Sequence, residues 1–356
     1  MTFCISIPVG EWSPSLPACF RSLALQAVPV RIALCDASGD PRIAAAADAS
    51  GLDFAYRRHG PDAGQSDAII EGWRETDGEI LGWLNADDAL FPGAMERAAA
   101  AFAADPDLDV WFGHSTIVDT EGATIGTHPA VAPVSDLLLR SCTISQPSCF
   151  FRRRAVEAIG GLDVSLHYTM DWDLWCRLYR NGAKFEFSDT FASAVLFELG
   201  TKTSTMPMMR IVELFRLVSL NAGRFAAAKS VLGFTLHHIS AYTPLRPLLR
   251  RLRHQGVLPE RAAGPTGLRA SGSIETASTL PVLNLSDRPQ TGLIVELTGP
   301  DATRAEIEID GQVALGAKAS FTLSTPVPAG DVVWLTVRRP SGAGPASLKS
   351  ARWADA

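Results

Sequence analysis

Two adjacent carboxylates, Asp87 and Asp88, follow directly on the apolar run at residues 80–84. Burying such a pair without a partner is costly, because each charge loses its hydration and repels the other. A hard divalent cation removes that cost: carboxylate oxygens suit magnesium or manganese, and a nucleotide diphosphate can complete the coordination shell. The competing reading is a solvated turn whose carboxylates cap the next helix. A second acidic set, Asp171 and Asp173, lies in the segment 170–175 (MDWDLW) and precedes apolar Leu174, Trp175 and Leu178. Both can sit at a helix N-terminus, where the macrodipole stabilises negative charge. Capping is the expected role of Asp173. Asp171, next to the indole of Trp172, is the candidate general base facing a bound sugar.

These residues need a scaffold, and the first half of the chain spells one out. Short apolar runs at residues 3–8, 30–35, 54–58, 80–84 and 109–112 read as strands. Helical patterns at 16–26, 43–49, 65–75 and from Phe91 to about residue 104 alternate with them. A βαβα rhythm of this kind implies a mostly parallel sheet with helices on both faces. Ligand sites in such sheets lie at the carboxyl ends of the strands. The polar clusters 36–40 and 85–88 both fall there, which favours the cation reading of Asp87 and Asp88.

The texture changes after residue 207. Residues 208–220 and 225–242 read as helices, followed by Pro244, Pro247 and a basic stretch with Arg246, Arg250, Arg251, Arg253 and His254. Residues 256–272 are rich in Gly, Pro and Ala, as a linker is. Beyond them, short β runs at 293–297, 305–309 and 332–337 are bounded by turn signals such as Asp310-Gly311. The expected organisation is an α/β domain over 1–207, a helical extension over 208–255, a linker over 256–272 and a small β-sandwich-like domain over 273–356. The helical extension either packs on the α/β domain or makes a peripheral membrane contact. For the β domain, glycan binding, assembly and plain packing stay open; Trp334 and Trp353 are its tryptophans.

The apolar fraction of 47% and charged fraction of 20% fit a globular enzyme. A formal net charge of -6 argues against a nucleic-acid partner, which needs basic excess to replace counterions. Cys4, Cys19, Cys35, Cys142, Cys149 and Cys176 form no CxxC pair, so reduced thiols are expected. The opening residues read as a strand rather than a signal peptide, and no apolar run is long enough to span a bilayer. A cytoplasmic location is the resulting expectation.

With these segments in hand, residues 1–207 resemble the family-2 inverting glycosyltransferases of the GT-A fold, a Rossmann-like architecture. The resemblance rests on an ordered set: 5–9 (ISIPV), 35–40 (CDASGD), 62–68 (DAGQSDA), 83–88 (WLNADD), Pro92-Gly93, 146–148 (QPS), 160–163 (GGLD) and 170–175 (MDWDLW). It implies a nucleotide-sugar donor, most often a UDP-sugar, and a glycan or lipid-linked acceptor of the kind used in polysaccharide assembly. It also implies Mn2+ or Mg2+ as cofactor. Pro8, Glu11, Asp36, Ser38, Gln65, Asp67 and Asp87 would then bind the donor. Asp88, with Asp87 and Glu198, would hold the metal, and Asp171 would be the base. Of four departures from the family pattern, Ile70 and His114 among them, two bear on the site: Met170 replaces a Glu, and Glu198 falls where a His is frequent. They support the alternative of a catalytically impaired, glycan-binding protein of the same fold. A nucleotidyltransferase would want a Gly-rich basic loop after the first strand, and 9–13 (VGEWS) has no such character.

Overall fold

The computed structural model describes residues 1–128, 130–197, 207–242, 273–274, 276–340 and 346–354. Its first strand, β1 (Phe3–Val9), is buried along its whole length, as a strand covered on both faces must be. Strands β2 (Val30–Asp36), β3 (Phe54–His59) and β4 (Ile80–Trp83) join it in parallel, in the spatial order β3-β2-β1-β4. Chain order reverses at β1, so the crevice between β1 and β4 is the switch point of the sheet.

Helices α1 (Leu16–Ala24), α2 (Pro41–Ala49), α3 (Gln65–Arg74) and α4 (Ala94–Ala104) make the crossovers. The start of α2 is written in the sequence: Asp40 accepts the Arg42 N–H, and Pro41 occupies the first turn. Alternate residues of β1 face opposite layers. Phe3, Ile5 and Ile7 pack with Phe20 of α1 and Phe102 of α4, whereas Cys4 faces the layer built on Ile69 and Trp73 of α3.

Beyond residue 88 the sheet turns mixed. It adds β5 (Ala89–Leu90), β6 (Val110–Val118), β7 (Thr124–His128), β8 (Cys149–Arg152) and β9 (Phe185–Leu196). Strand β8 bridges β4 and β6 antiparallel, β9 runs parallel to β6, and β5 pairs with β9. Of these, the sequence reading contained only the start of β6. Helices α5 (Arg153–Ala158) and α6 (Met170–Arg180) precede β9. Then α7 (Met208–Ala222) and α8 (Arg224–Tyr242) form a hairpin hinged at Gly223. The hairpin buries Leu214, Leu217, Val218 and Ala227 against the α3/α6 layer.

The C-terminal part holds β10 (Ser273–Ile274), β11 (Ala277–Leu283), β12 (Gln290–Thr298), β13 (Glu306–Ile309), β14 (Gln312–Leu315), β15 (Lys318–Val327), β16 (Val332–Arg338) and β17 (Ala346–Trp353). Two antiparallel sheets, β11-β16-β13-β14 and β15-β12-β17 with β10 on β17, enclose Leu280, Val295, Ile307, Phe321 and Leu335. Asp310 (φ 51°) and Gly311 (φ 74°) make the tight turn between β13 and β14. The sandwich is not free-standing. Its core includes Ala89, Phe91, Phe191 and Ala194 of the first domain, and β17 meets β7 at Ala351 opposite Thr124. The segment read as a linker and the basic stretch 246–254 lie outside the described residues.

Helix α3 approaches the sheet at Gly72, where an added Cβ would stand 2.4 Å from Ser6 Oγ and 2.9 Å from Ala33 Cβ. Both obstacles sit on buried strands. Gly72→Ala is therefore expected to destabilise the protein by about 1–3 kcal/mol, the usual cost of overpacking, read as a lower denaturant midpoint with an unchanged slope.

Candidate active site

Four strand ends converge on one polar surface. Strand β1 delivers buried Pro8 and, in the loop that follows, exposed Glu11. Strand β2 ends on Asp36, which is 1% exposed. Its carboxylate accepts the Ser38 N–H (2.9 Å) and Ser38 hydroxyl (2.7 Å) and lies 2.9 Å from His59 Nδ1 at the end of β3. Burial alone would raise the pKa of this carboxyl. The His59 and Ser38 contacts outweigh it and hold the group below the ordinary aspartate value.

Strand β4 ends in the turn that carries Asn85, Asp87 and Asp88. Asp88 is buried and Asp87 half-buried. Asn85 is the hub of the turn: its Nδ2 donates to Asp88 (3.0 Å) and Gln146 Oε1 (3.3 Å), and its Oδ1 accepts from Gln65 Nε2 (2.8 Å). Gln146 in turn donates to the Trp83 carbonyl at 2.8 Å. Burial pushes the Asp88 carboxyl well above the ordinary range, and the Asp87 charge pushes it further. The Asn85 amide and the Leu196 N–H pull the other way without prevailing. Two hard oxygen donors that repel each other in a desolvated turn fit a divalent cation. Among the described residues no three His, Cys, Asp or Glu side chains gather at one point. Glu198, the third ligand expected from the sequence, lies outside the described residues. The remaining coordination would come from a ligand or water.

Asp171 lies in the first turn of α6, a helix whose start is tied to the acidic turn by packing. Ser66, beside Gln65, donates to Met170 Sδ (2.8 Å) and lies 3.4 Å from the Leu166 carbonyl. Trp83 and Trp175 stack with ring centroids 6.1 Å apart, tying β4 to α6. The start of α6 is thus fixed against the start of α3 and, through Gln65 and Asn85, against Asp88. The Asp171 carboxylate accepts the Trp172 N–H at 2.7 Å. Asp173 does not cap the helix as expected; it pairs with Arg177 at 2.6 Å, four residues on. Met170, in place of a second carboxylate, is buried and linked to Ser66.

The capping work at α6 falls to a residue from another helix. Glu213 of α7 is buried, and its carboxylate accepts the N–H groups of His167 (2.9 Å), Tyr168 (2.8 Å) and Thr169 (3.1 Å). These amides lead into α6, so Glu213 fixes the approach to Asp171. Nothing local in the sequence marks this, because the partners are more than forty residues apart. Asn85, Gln146 and His59 also go beyond the residues assigned from the sequence. Asn85 was legible in principle, as an amide able to donate and accept beside a carboxylate pair. Asp67, assigned to donor binding, turns its carboxylate back onto the Ala63 N–H (3.2 Å) at the entry to α3. A groove of about 770 Å³ lined by Arg31, Arg74, Arg152, Arg153 and Arg154 lies at the opposite, amino ends of β1 and β4. Arg153 there is occupied by the carbonyls of Trp73, Thr76 and Gly78.

Comparison with known proteins bears on this surface. The family described as Glycosyl transferase family 2 matches residues 4–160. An uncharacterised glycosyltransferase of Rickettsia typhi is 26% identical over 140 residues, 36% of this chain and 42% of that one. The O-antigen biosynthesis protein RfbC of Myxococcus xanthus is 31% identical over 112 residues, 31% of this chain and 9% of that one. The matched region thus spans less than half the length of these relatives. Among solved structures, S. aureus TarS residues 1–349 in complex with UDP-GlcNAc superposes with a TM-score of 0.50 at 16% identity, covering 72% of this chain and 78% of that one. Residues 4–160 thus match glycosyl transferase family 2, and the N-terminal part of the chain has the GT-A fold.

Proposed function

We propose that this protein transfers a sugar from a nucleoside-diphosphate sugar to a hydroxyl of a glycan or lipid-linked acceptor, with inversion at the anomeric carbon. The observation that carries the reading is the desolvated Asp88 carboxyl beside Asp87, at the switch point of a family-2 domain. The UDP-GlcNAc complex of the similarly folded TarS supports a UDP-sugar as donor, and the resemblance to RfbC supports polysaccharide assembly as the setting.

Asp36 and Ser38, held together with His59, would bind the nucleoside, with Pro8, Glu11 and Gln65 as further donor contacts. Asp87 and Asp88 would hold Mn2+ or Mg2+, which when bound supplies positive charge to the diphosphate leaving group. Asp171 accepts the proton of the acceptor hydroxyl. That oxygen bonds to C1 as the bond from C1 to the diphosphate breaks on the opposite face, so one displacement inverts the centre. Glu213 acts through Asp171, as a positioning residue.

Three outcomes are expected. A carboxyl whose folded pKa is raised costs stability that accumulates as pH rises from its ordinary value toward the folded one. Asp88→Asn should therefore raise the metal-free melting temperature near neutral pH, by about 2–4 °C for each kcal/mol relieved. The same variant should lose the further rise that manganese with UDP gives the wild type; a wild type insensitive to manganese with UDP removes the cation from this site. Asp171→Asn should lower turnover about 10²–10⁴-fold while calorimetric binding of UDP persists, and near-normal turnover would refute the base assignment. Glu213→Gln should cost about 1–3 kcal/mol in denaturant unfolding, because an amide meets convergent N–H donors less well than a carboxylate. In kinetics it should lower kcat and leave donor affinity in place; a loss confined to donor affinity would detach Glu213 from Asp171.

A further inference from the structure

The α7–α8 hairpin buries one side and leaves an equally apolar side in water. On α7 the buried face is Glu213, Leu214, Leu217 and Val218, and the opposite face exposes Met208, Val212, Phe215 and Leu220. On α8, Phe225, Lys229, Leu232 and Leu236 recur at helical spacing along one exposed stripe. Phe225 is 76% and Leu220 70% exposed, at the two ends of the helix junction. A helix apolar on both faces normally has both covered.

Charge indicates what covers this one. The exposed charged side chains among the described residues of the hairpin are Arg216, Arg224 and Lys229. Its one carboxylate, Glu213, is turned inward onto backbone amides. Lys229 lies over the Phe225 ring at 4.6 Å, so cation and aromatic share one patch. A purely cationic apolar face in a chain of formal net charge -6 is a local reversal of sign. A second copy of the chain on this face would set Arg216, Arg224 and Lys229 against their own counterparts, a like-charge contact that disfavours association. An anionic lipid surface meets both features, taking the apolar stripe into its interface and the cations at its headgroups. Among the described residues no helix is long and apolar enough to cross a membrane, so the contact is one that lies on the surface.

We propose that the exposed face of the α7–α8 hairpin docks this protein on anionic lipid bilayers. Docking stands without the transferase reading, since it uses neither Asp88 nor Asp171. Its consequence, presentation of a lipid-linked acceptor to Asp171 through the Glu213 contact, rests on that reading.

The test is flotation of the full chain with vesicles of equal parts phosphatidylglycerol and phosphatidylcholine, against vesicles of phosphatidylcholine alone. The wild type is expected to float with the anionic vesicles and to be released by high salt. Combined Arg216→Glu, Arg224→Glu and Lys229→Glu substitutions should reduce partitioning by at least about fivefold per reversed charge. Combined Phe225→Ser, Leu232→Ser and Leu236→Ser substitutions should abolish it. All six positions are exposed, and an unchanged circular dichroism melt establishes that each variant is folded. Wild-type protein left in the dense fraction with anionic vesicles overturns the proposal, as does equal flotation of wild type and both folded variants. A dimer in sedimentation that the apolar substitutions split, without flotation of the wild type, assigns the face to self-association instead.

Discussion

An ionised carboxylate inside a protein must be met by donors or by positive charge, and three buried carboxylates here meet that demand in different ways. Asp36 is answered by His59 and Ser38 strongly enough to hold its pKa down despite burial. Glu213 is answered by three backbone N–H groups and the Thr169 hydroxyl. Asp88 receives the Asn85 amide and the Leu196 N–H, and these do not offset burial and the neighbouring Asp87. The first two arrangements are complete within the chain. The third is not offset within the chain, and it stands at the strand end where a parallel sheet collects its ligands.

The rest of the architecture holds that turn in place. Asp88 leads directly into β5, and Ala89 and Phe91 share a core with the C-terminal sandwich. The sandwich thus braces the backbone that follows the acidic pair. On the other side, Gln65, Asn85 and Gln146 join the start of α3, the end of β4 and the approach to β8 in one set of side-chain bonds. Helix α6 is clamped twice, by Ser66 beneath Met170 and by Glu213 ahead of Thr169. Asp171 therefore owes its position to α3 and α7 as much as to its own helix. The same α7 carries the exposed apolar face, so one helix links the approach to Asp171 with the outer surface.

The sequence by itself determined the parallel half of the sheet, because fully buried strands read as continuous apolar runs and the helices between them carry local start signals such as Asp40-Pro41. It also marked Asp36, Asp87, Asp88 and Asp171, since charged residues placed directly after buried strands or before an apolar helix stand out from their surroundings. Strands β8 and β9 escaped because they pair with strands far away in sequence, and polar residues such as Thr124 and Thr127 of β7 or Ser188 and Ser193 of β9 interrupt the apolar pattern. Only the tertiary structure decided that Glu213, rather than Asp173, serves the start of α6, that Gln65 and Gln146 meet at Asn85, and that the sandwich docks behind β5. Each of these depends on side chains brought together from far along the chain, and hydrogen-bond direction and burial there are set by packing, which no local pattern encodes.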